Sequence, residues 1–144
     1  MASKQFNETS SKKVPADQPE DTLYGYHVHI YFDGTEENEQ KARRTLARLD
    51  AQFPETLQEV HRLGRNVGPH LSPNFSSTIM PEDFGKIVSW LQLHSDGLSI
   101  LIHPVTNDDM RDHRDCTMWI GTPEALDLSF FEPKKPASKG PSLQ

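Results

Sequence analysis

From Tyr24 to Phe32 the chain reads Tyr-Gly-Tyr-His-Val-His-Ile-Tyr-Phe. Polar or amphipathic side chains alternate with apolar ones, the period of a strand, and the aromatic and β-branched content agrees with it. Val28, Ile30 and Phe32 fall on one face, and His27, His29 and Tyr31 on the other. Asp33-Gly34 is a turn signal. After it the period changes: Ala42, Leu46, Leu49 and Phe53 form one helical stripe. This predicts a helix over Glu36–Phe53, capped by Thr35, with Glu36, Glu37 and Glu39 at the positive end of its dipole and Pro54 ending it. Leu57–Leu63 and Asn74–Met80 read as strands, separated by a loop that Gly64, Gly68 and Pro69 punctuate. Phe84, Ile87, Val88 and Leu91 predict a second helix that begins at Pro81 and stops at Asp96-Gly97. Leu98–His103 is a fourth strand closed by Pro104. Thr106–Asp115 reads as a polar loop, followed by short extended pieces at Met118–Ile120 and Leu126–Phe131.

The order is βαββαβ, so the expected fold is α+β, ferredoxin-like, an antiparallel sheet with two helices on one face. The apolar strand faces should meet the helices. The other face should be open, carrying His27, His29, Tyr31, Ser99 and His103, and available for pairing into a homodimer. Residues 1–22 and 132–144 are rich in Ser, Lys and Pro with little to bury, and are expected to be disordered tails around a domain at 23–131.

Composition narrows the function. A length of 144 residues suits one domain, and a net charge of -6 argues against a nucleic-acid binder or docking on an anionic membrane. Cys116 is the only cysteine, which rules out an internal disulfide and a cysteine-based zinc finger. No apolar run approaches a membrane span and no secretory or mitochondrial leader is seen, so the cytoplasm is the expected location. Phosphate-loop, dinucleotide and nucleophile-elbow motifs are missing.

His27-Val28-His29 is the sharpest chemical feature. Residues i and i+2 on a strand lie roughly 6.5–7 Å apart on one face, close enough for two imidazoles to lean onto one divalent ion. A polar sheet face is the plainer account of such a pair. His103 favours the metal, because it falls on the same face of a neighbouring strand. His70, on the loop after Gly68-Pro69, is a candidate ligand or acid/base group. His113 sits among Asp108, Asp109, Asp112 and Asp115, either as a solvated turn residue or as a base that faces substrate. His61 and His94 are read as structural or exposed, and Trp90 and Trp119 as packing residues.

Taken together, these segments resemble the DOPA 4,5-dioxygenase family. The resemblance rests on Tyr26–Phe32, Val67-Gly-Pro-His70, Leu98–Pro104, Asp108-Asp109 with Asp112-His113 leading to Trp119-Ile-Gly121, and Leu126–Phe130. It implies a ferredoxin-like fold and extradiol cleavage of a catechol by O2 at non-haem Fe(II), a site zinc could fill in the isolated protein. The implied substrate is L-DOPA, opened to a seco-DOPA that cyclises to betalamic acid, or to muscaflavin from the other bond; another catechol fits the same chemistry. His27, His29 and His103 are the expected ligands, with His70 and His113 as acid/base groups. His70 in place of His27, or a carboxylate from Asp108–Asp115, are alternative ligand sets. Two alternative functions are a metal-containing, catechol-binding protein without turnover and a metal-free dimeric regulatory module. The chain departs from the family pattern beside His70, where Asn66 and Leu71 stand at positions that often carry proline.

Overall fold

The computed structural model describes residues 14–133. The outer parts of both expected tails, 1–13 and 134–144, lie outside the described residues. The order is β1 (Gly25–Tyr31), α1 (Glu36–Gln52), β2 (Gln58–Leu63), β3 (Asn74–Ile79), a 3₁₀ turn (Pro81–Asp83), α2 (Phe84–His94), β4 (Ile100–Val105), α3 (Asp109–Arg114), β5 (Met118–Ile120) and a second 3₁₀ turn (Leu128–Phe131). One antiparallel sheet runs β2-β3-β1-β4-β5. The first four strands and two helices follow the ferredoxin-like plan, and β5 extends it.

The period-2 reading of β1 holds. Val28, Ile30 and Phe32 pack with Ala42 and Leu49 of α1, Ile87, Val88 and Leu91 of α2, and Ile100 and Ile102 of β4. Thr35 caps α1 by accepting from the Asn38 N–H at 3.2 Å. Asp33 accepts from the Thr35 N–H and hydroxyl, which holds its carboxyl below the usual range. Trp90 packs against the core, and His94 stacks on it, with ring centroids 4.3 Å apart.

Three local expectations change. The Thr106–Asp115 segment contains the short helix α3 rather than being all loop. Its signal is in its caps and not in an apolar stripe: Asp108 accepts from the Arg111 N–H, and the Asp112 carboxylate takes both the N–H and hydroxyl of Thr106 at 2.8 Å. Second, β4 runs through Pro104 to Val105. The Ser99 carbonyl accepts from the Tyr31 N–H and the Val105 carbonyl from the N–H of Tyr24, just before β1, so the odd residues bond toward that side. Pro104 therefore turns its missing N–H to the other side, beyond Met118, where β5 has ended. Third, Leu128–Phe131 is a 3₁₀ turn, capped by Asp127.

The largest correction concerns the face opposite α1 and α2. It is not open. The Val67–His70 loop, α3 and the Leu126–Phe131 segment lie over it, and His29, His70, His103 and His113 are all at least 96% buried. Polar backbone in this cover is satisfied locally, by Asp127 N–H to Pro69 O at 2.8 Å and His70 N–H to Val67 O at 3.1 Å. Residues 14–22, expected in the tail, also add to it: Val14 is buried, Asn107 donates to Pro15 O, and Arg111 donates to Glu20 O. The face expected to pair two copies of the chain is thus covered by the chain itself. Among the described residues, no helix is long and apolar enough to cross a membrane.

On the opposite side, Glu39 ties α1 to β2. It accepts from Arg62 at 2.7 and 2.9 Å and from Arg43 at 2.8 Å, and these guanidinium groups lie over the rings of Phe32 and Phe75. The Arg62 hydrogen bonds, helped by Arg43, hold the Glu39 carboxyl down to about 2 from an ordinary 4.5. The stabilisation is therefore complete above the ordinary carboxylate pKa and is lost as pH falls toward 2. Both arginines are half-exposed, so the clamp is expected to contribute about 1 kcal/mol. Urea unfolding of Glu39→Gln against the parent should give that difference at pH 7 and a vanishing one at the acid end.

Candidate metal centre

The site is built from strand register. In the β1–β4 ladder His27 lies directly opposite His103, and His29 opposite Leu101. On the other side of β1, Thr78 faces His27, Ser76 faces His29 and Asn74 faces Tyr31. Since side chains alternate, His27, His29, Tyr31 and His103 all leave the sheet on the covered face.

The structure brings His27, His29 and His103 together. Each offers a ring nitrogen, and these nitrogens all lie within 4.8 Å of one another. The three rings are 5.1–5.8 Å apart between centroids. The hydrogen bonds behind them settle where the protons are. His29 Nδ1 lies 3.0 Å from Asn74 Oδ1, and the Asn74 amide is oriented by donation from its Nδ2 to Ser72 O. His103 Nδ1 lies 2.8 Å from Pro104 O. Both oxygens only accept, so both Nδ1 atoms carry protons and both neutral rings present lone pairs at Nε2. Those two Nε2 atoms are 3.3 Å apart. A proton or a metal ion between them makes that approach favourable. Donor type, convergence and outward hydrogen bonds that fix the tautomer are the arrangement a transition-metal or zinc site requires, so these residues fit a metal.

His70 and His113 flank the triad. His70 has its ring centroid 4.0 Å from that of His29, and its Nδ1 is 2.6 Å from the Tyr31 hydroxyl. His113 lies 3.9 Å from His103 between centroids, is stacked by Phe131 at 4.4 Å, and has Nδ1 2.8 Å from Asp109 O. It is buried, not solvated in a turn. Neither flanking histidine joins the close group of donors. The carboxylate alternative finds no support among the described residues, because the buried Asp112 is turned to Thr106. Burial pushes the Asp112 carboxyl up, against the lowering pull of the Thr106 hydrogen bonds. Its work is to fasten α3 to the end of β4, which places His113.

Sequence reasoning missed Asn74, whose role depends on the β1–β3 register, and gave Tyr31 a face but no task. It also read Trp119 as simple packing, whereas its ring stacks on Tyr31 at 5.8 Å on the site face. The turn from Asn66 to His70 has two left-handed residues, Asn66 at φ 59 and Gly68 at φ 60. Proline, fixed near φ −65, cannot take the conformation of Asn66, so this rim has a shape that a proline there would not allow.

Replacing Asn74 with Leu leaves the His29 Nδ1–H buried without its acceptor. The expected loss is about 1–3 kcal/mol by urea unfolding, with partial recovery in the Asn74→Leu, His29→Leu double variant. Full additivity of the two losses would contradict this pairing.

The chain resembles known proteins across this whole region. A 21.2 kDa uncharacterized protein of Botryotinia fuckeliana is 33% identical over 117 residues, covering 74% of this chain, and a DOPA 4,5-dioxygenase of Amanita muscaria is 30% identical over 109 residues, covering 72%. The matches span 63% and 48% of those two relatives' own lengths. The crystal structure of a candidate dioxygenase from Nostoc punctiforme superposes with a TM-score of 0.68 at 32% identity, covering 79% of this chain and 96% of that one. The model of the Dopa 4,5-dioxygenase family matches residues 26–130, which takes in every strand but the first residue of β1, all three helices and the five clustered histidines, and the chain belongs to that family.

Proposed function

We propose that this protein is a metal-dependent extradiol dioxygenase that opens the ring of L-DOPA or a related catechol with O2. The observation that carries the reading is the pair of inward-facing Nε2 lone pairs on His29 and His103, joined by His27 in a buried group. Family membership and the likeness to a candidate dioxygenase support the oxygen chemistry, and the Amanita muscaria relative supports the substrate class.

In this reading His27, His29 and His103 hold Fe(II), and an all-histidine set replaces the commoner two-histidine, one-carboxylate arrangement. Bound there, Fe(II) supplies Lewis acidity toward both catechol oxygens and a position for O2. The remaining work belongs to the chain. Asn74 and the Pro104 carbonyl keep two ligand rings in one tautomer and orientation. The covering loop, α3 and the Leu126–Phe131 segment shield the centre from bulk water. His70 and His113, beside the ligands, manage the protons of the catechol hydroxyls.

The test is O2 uptake by metal-stripped protein reloaded anaerobically with Fe(II), on addition of L-DOPA. Iron-dependent uptake with a yellow product is expected, and a His29→Ala, His103→Ala double variant should bind iron at least tenfold more weakly and show no uptake. Iron-loaded protein that consumes no O2 with L-DOPA or simpler catechols would contradict the proposal and leave a binding protein without turnover as the better account.

A further inference from the structure

We infer that Phe131 is the gate of the histidine centre, and that the cavity between residues 14–22 and α3 is the vestibule through which a planar aromatic ligand reaches it. The centre needs an entrance. His29, His70, His103 and His113 are at most 4% exposed and His27 is 8% exposed, which leaves too little surface for a catechol-sized ligand to lie against. Part of the cover has to move.

The covering pieces are not held equally. The Val67–His70 turn ends in a fully buried histidine with its own backbone bond to Val67. α3 is fastened to the end of β4 by Asp112, and Arg111 adds a bond to the Thr106 hydroxyl at 2.9 Å. The turn at Leu128–Phe131 has no buried residue, and its capping bonds are internal. Its backbone is tied to the rest at the start of the segment, through the Asp127 N–H and the Leu126–His70 bridge. Few buried contacts and local bonding mark the part of a fold that opens most readily.

Phe131 stands at the far end of that turn. Its ring stacks on His113 at 4.4 Å, and His113 lies 3.9 Å from His103 between centroids. The same residue lines a cavity of about 880 Å³, together with Phe130, Met110 of α3, and Val14, Ala16 and Glu20 of the N-terminal segment. The N-terminal wall is fixed, since Asn107 donates to Pro15 O at 3.0 Å and Arg111 to Glu20 O at 2.8 Å. Ala16 and Phe130 are exposed, so the cavity is open to solvent. It is separated from His113 by one ring, and that ring is Phe131. Turning Phe131 off His113 carries it into space that already exists, with no repacking of the close-packed core. The volume suits a small ligand, and Phe130, Phe131 and Met110 offer aromatic and thioether surface to a flat ring. That the ring is a catechol rests on the proposed ring-opening function; the gate itself rests on burial and the cavity.

The test is the rate at which diethyl pyrocarbonate modifies the five clustered histidines of the full chain, read by mass spectrometry, with His61 outside the site as internal reference. Phe131→Ala should speed modification of the cluster about tenfold and leave His61 unchanged. Ala16→Trp places an indole on the vestibule wall and should slow it about threefold, a sign that loosening of the fold cannot produce. Equal rates in the parent and both variants would overturn the gate. An unslowed Ala16→Trp would overturn the vestibule, even if Phe131→Ala does not fold. With the Zn(II)-loaded chain and 4-nitrocatechol, stopped-flow absorbance should show association and dissociation both about tenfold faster in Phe131→Ala, with Kd within about threefold. The expected modification rates in a chain that binds no nitrocatechol would uphold the gate and count against the catechol reading.

Discussion

Two nitrogen lone pairs, on His29 and His103, are forced to within 3.3 Å of each other by one antiparallel register. Much of the rest of the molecule is arranged around that approach. The rings cannot relieve it by exchanging tautomers, because Asn74 Oδ1 and Pro104 O each require a proton on Nδ1. Nor can they swing into water, because both are almost fully buried. A shared proton or a metal ion between the two nitrogens makes the approach favourable, and with His27 beside them the three rings are positioned to hold a metal. The helix-side core of Val28, Ile30, Ile100 and Ile102 supplies the rigidity, since these residues alternate with the histidines on the same two strands. Shifting either strand by one residue would exchange core and site.

The second constraint is enclosure. A ferredoxin-like sheet with helices on one side leaves its other face to be dealt with, and here the chain covers it with its own connecting segments. Each covering piece is tied down by polar contacts: Asp112 to Thr106, Asp127 to Pro69, Arg111 to Glu20. Those ties also deliver His113 and His70 to the edge of the triad. Burial strengthens every electrostatic interaction in the site, and it makes the tautomers matter, because a misplaced proton has no water to correct it.

The legibility of the site follows the range of the interactions. Period-2 alternation placed His27, His29 and His103 on one face without reference to any partner, and the helix stripes located α1 and α2. The cluster of three histidines therefore came from local pattern plus the adjacency of the first and fourth strands. Asn74 could not be found that way, since its bond to His29 spans 45 residues and depends on the β1–β3 register. α3 was hidden because Asp109–Arg114 has no apolar stripe and is held by caps. The open face was expected because its cover is made of polar loop and a Phe-Phe turn, whose contacts with β1 and β4 are long-range. Tyr31 and His70 lie 39 residues apart and meet only once the Val67–His70 turn folds back over the sheet.

The central claim is that His27, His29 and His103 form one metal site. Anaerobic titration of the metal-stripped chain with Co(II), followed by X-ray absorption at the cobalt edge, tests it most directly. The account predicts one ion per chain with imidazole scattering from three histidines, falling to two in each of His27→Ala, His29→Ala and His103→Ala. Binding that leaves the imidazole count unchanged in these variants, or that is lost only when an aspartate of the Asp108–Asp115 segment is replaced, would contradict it.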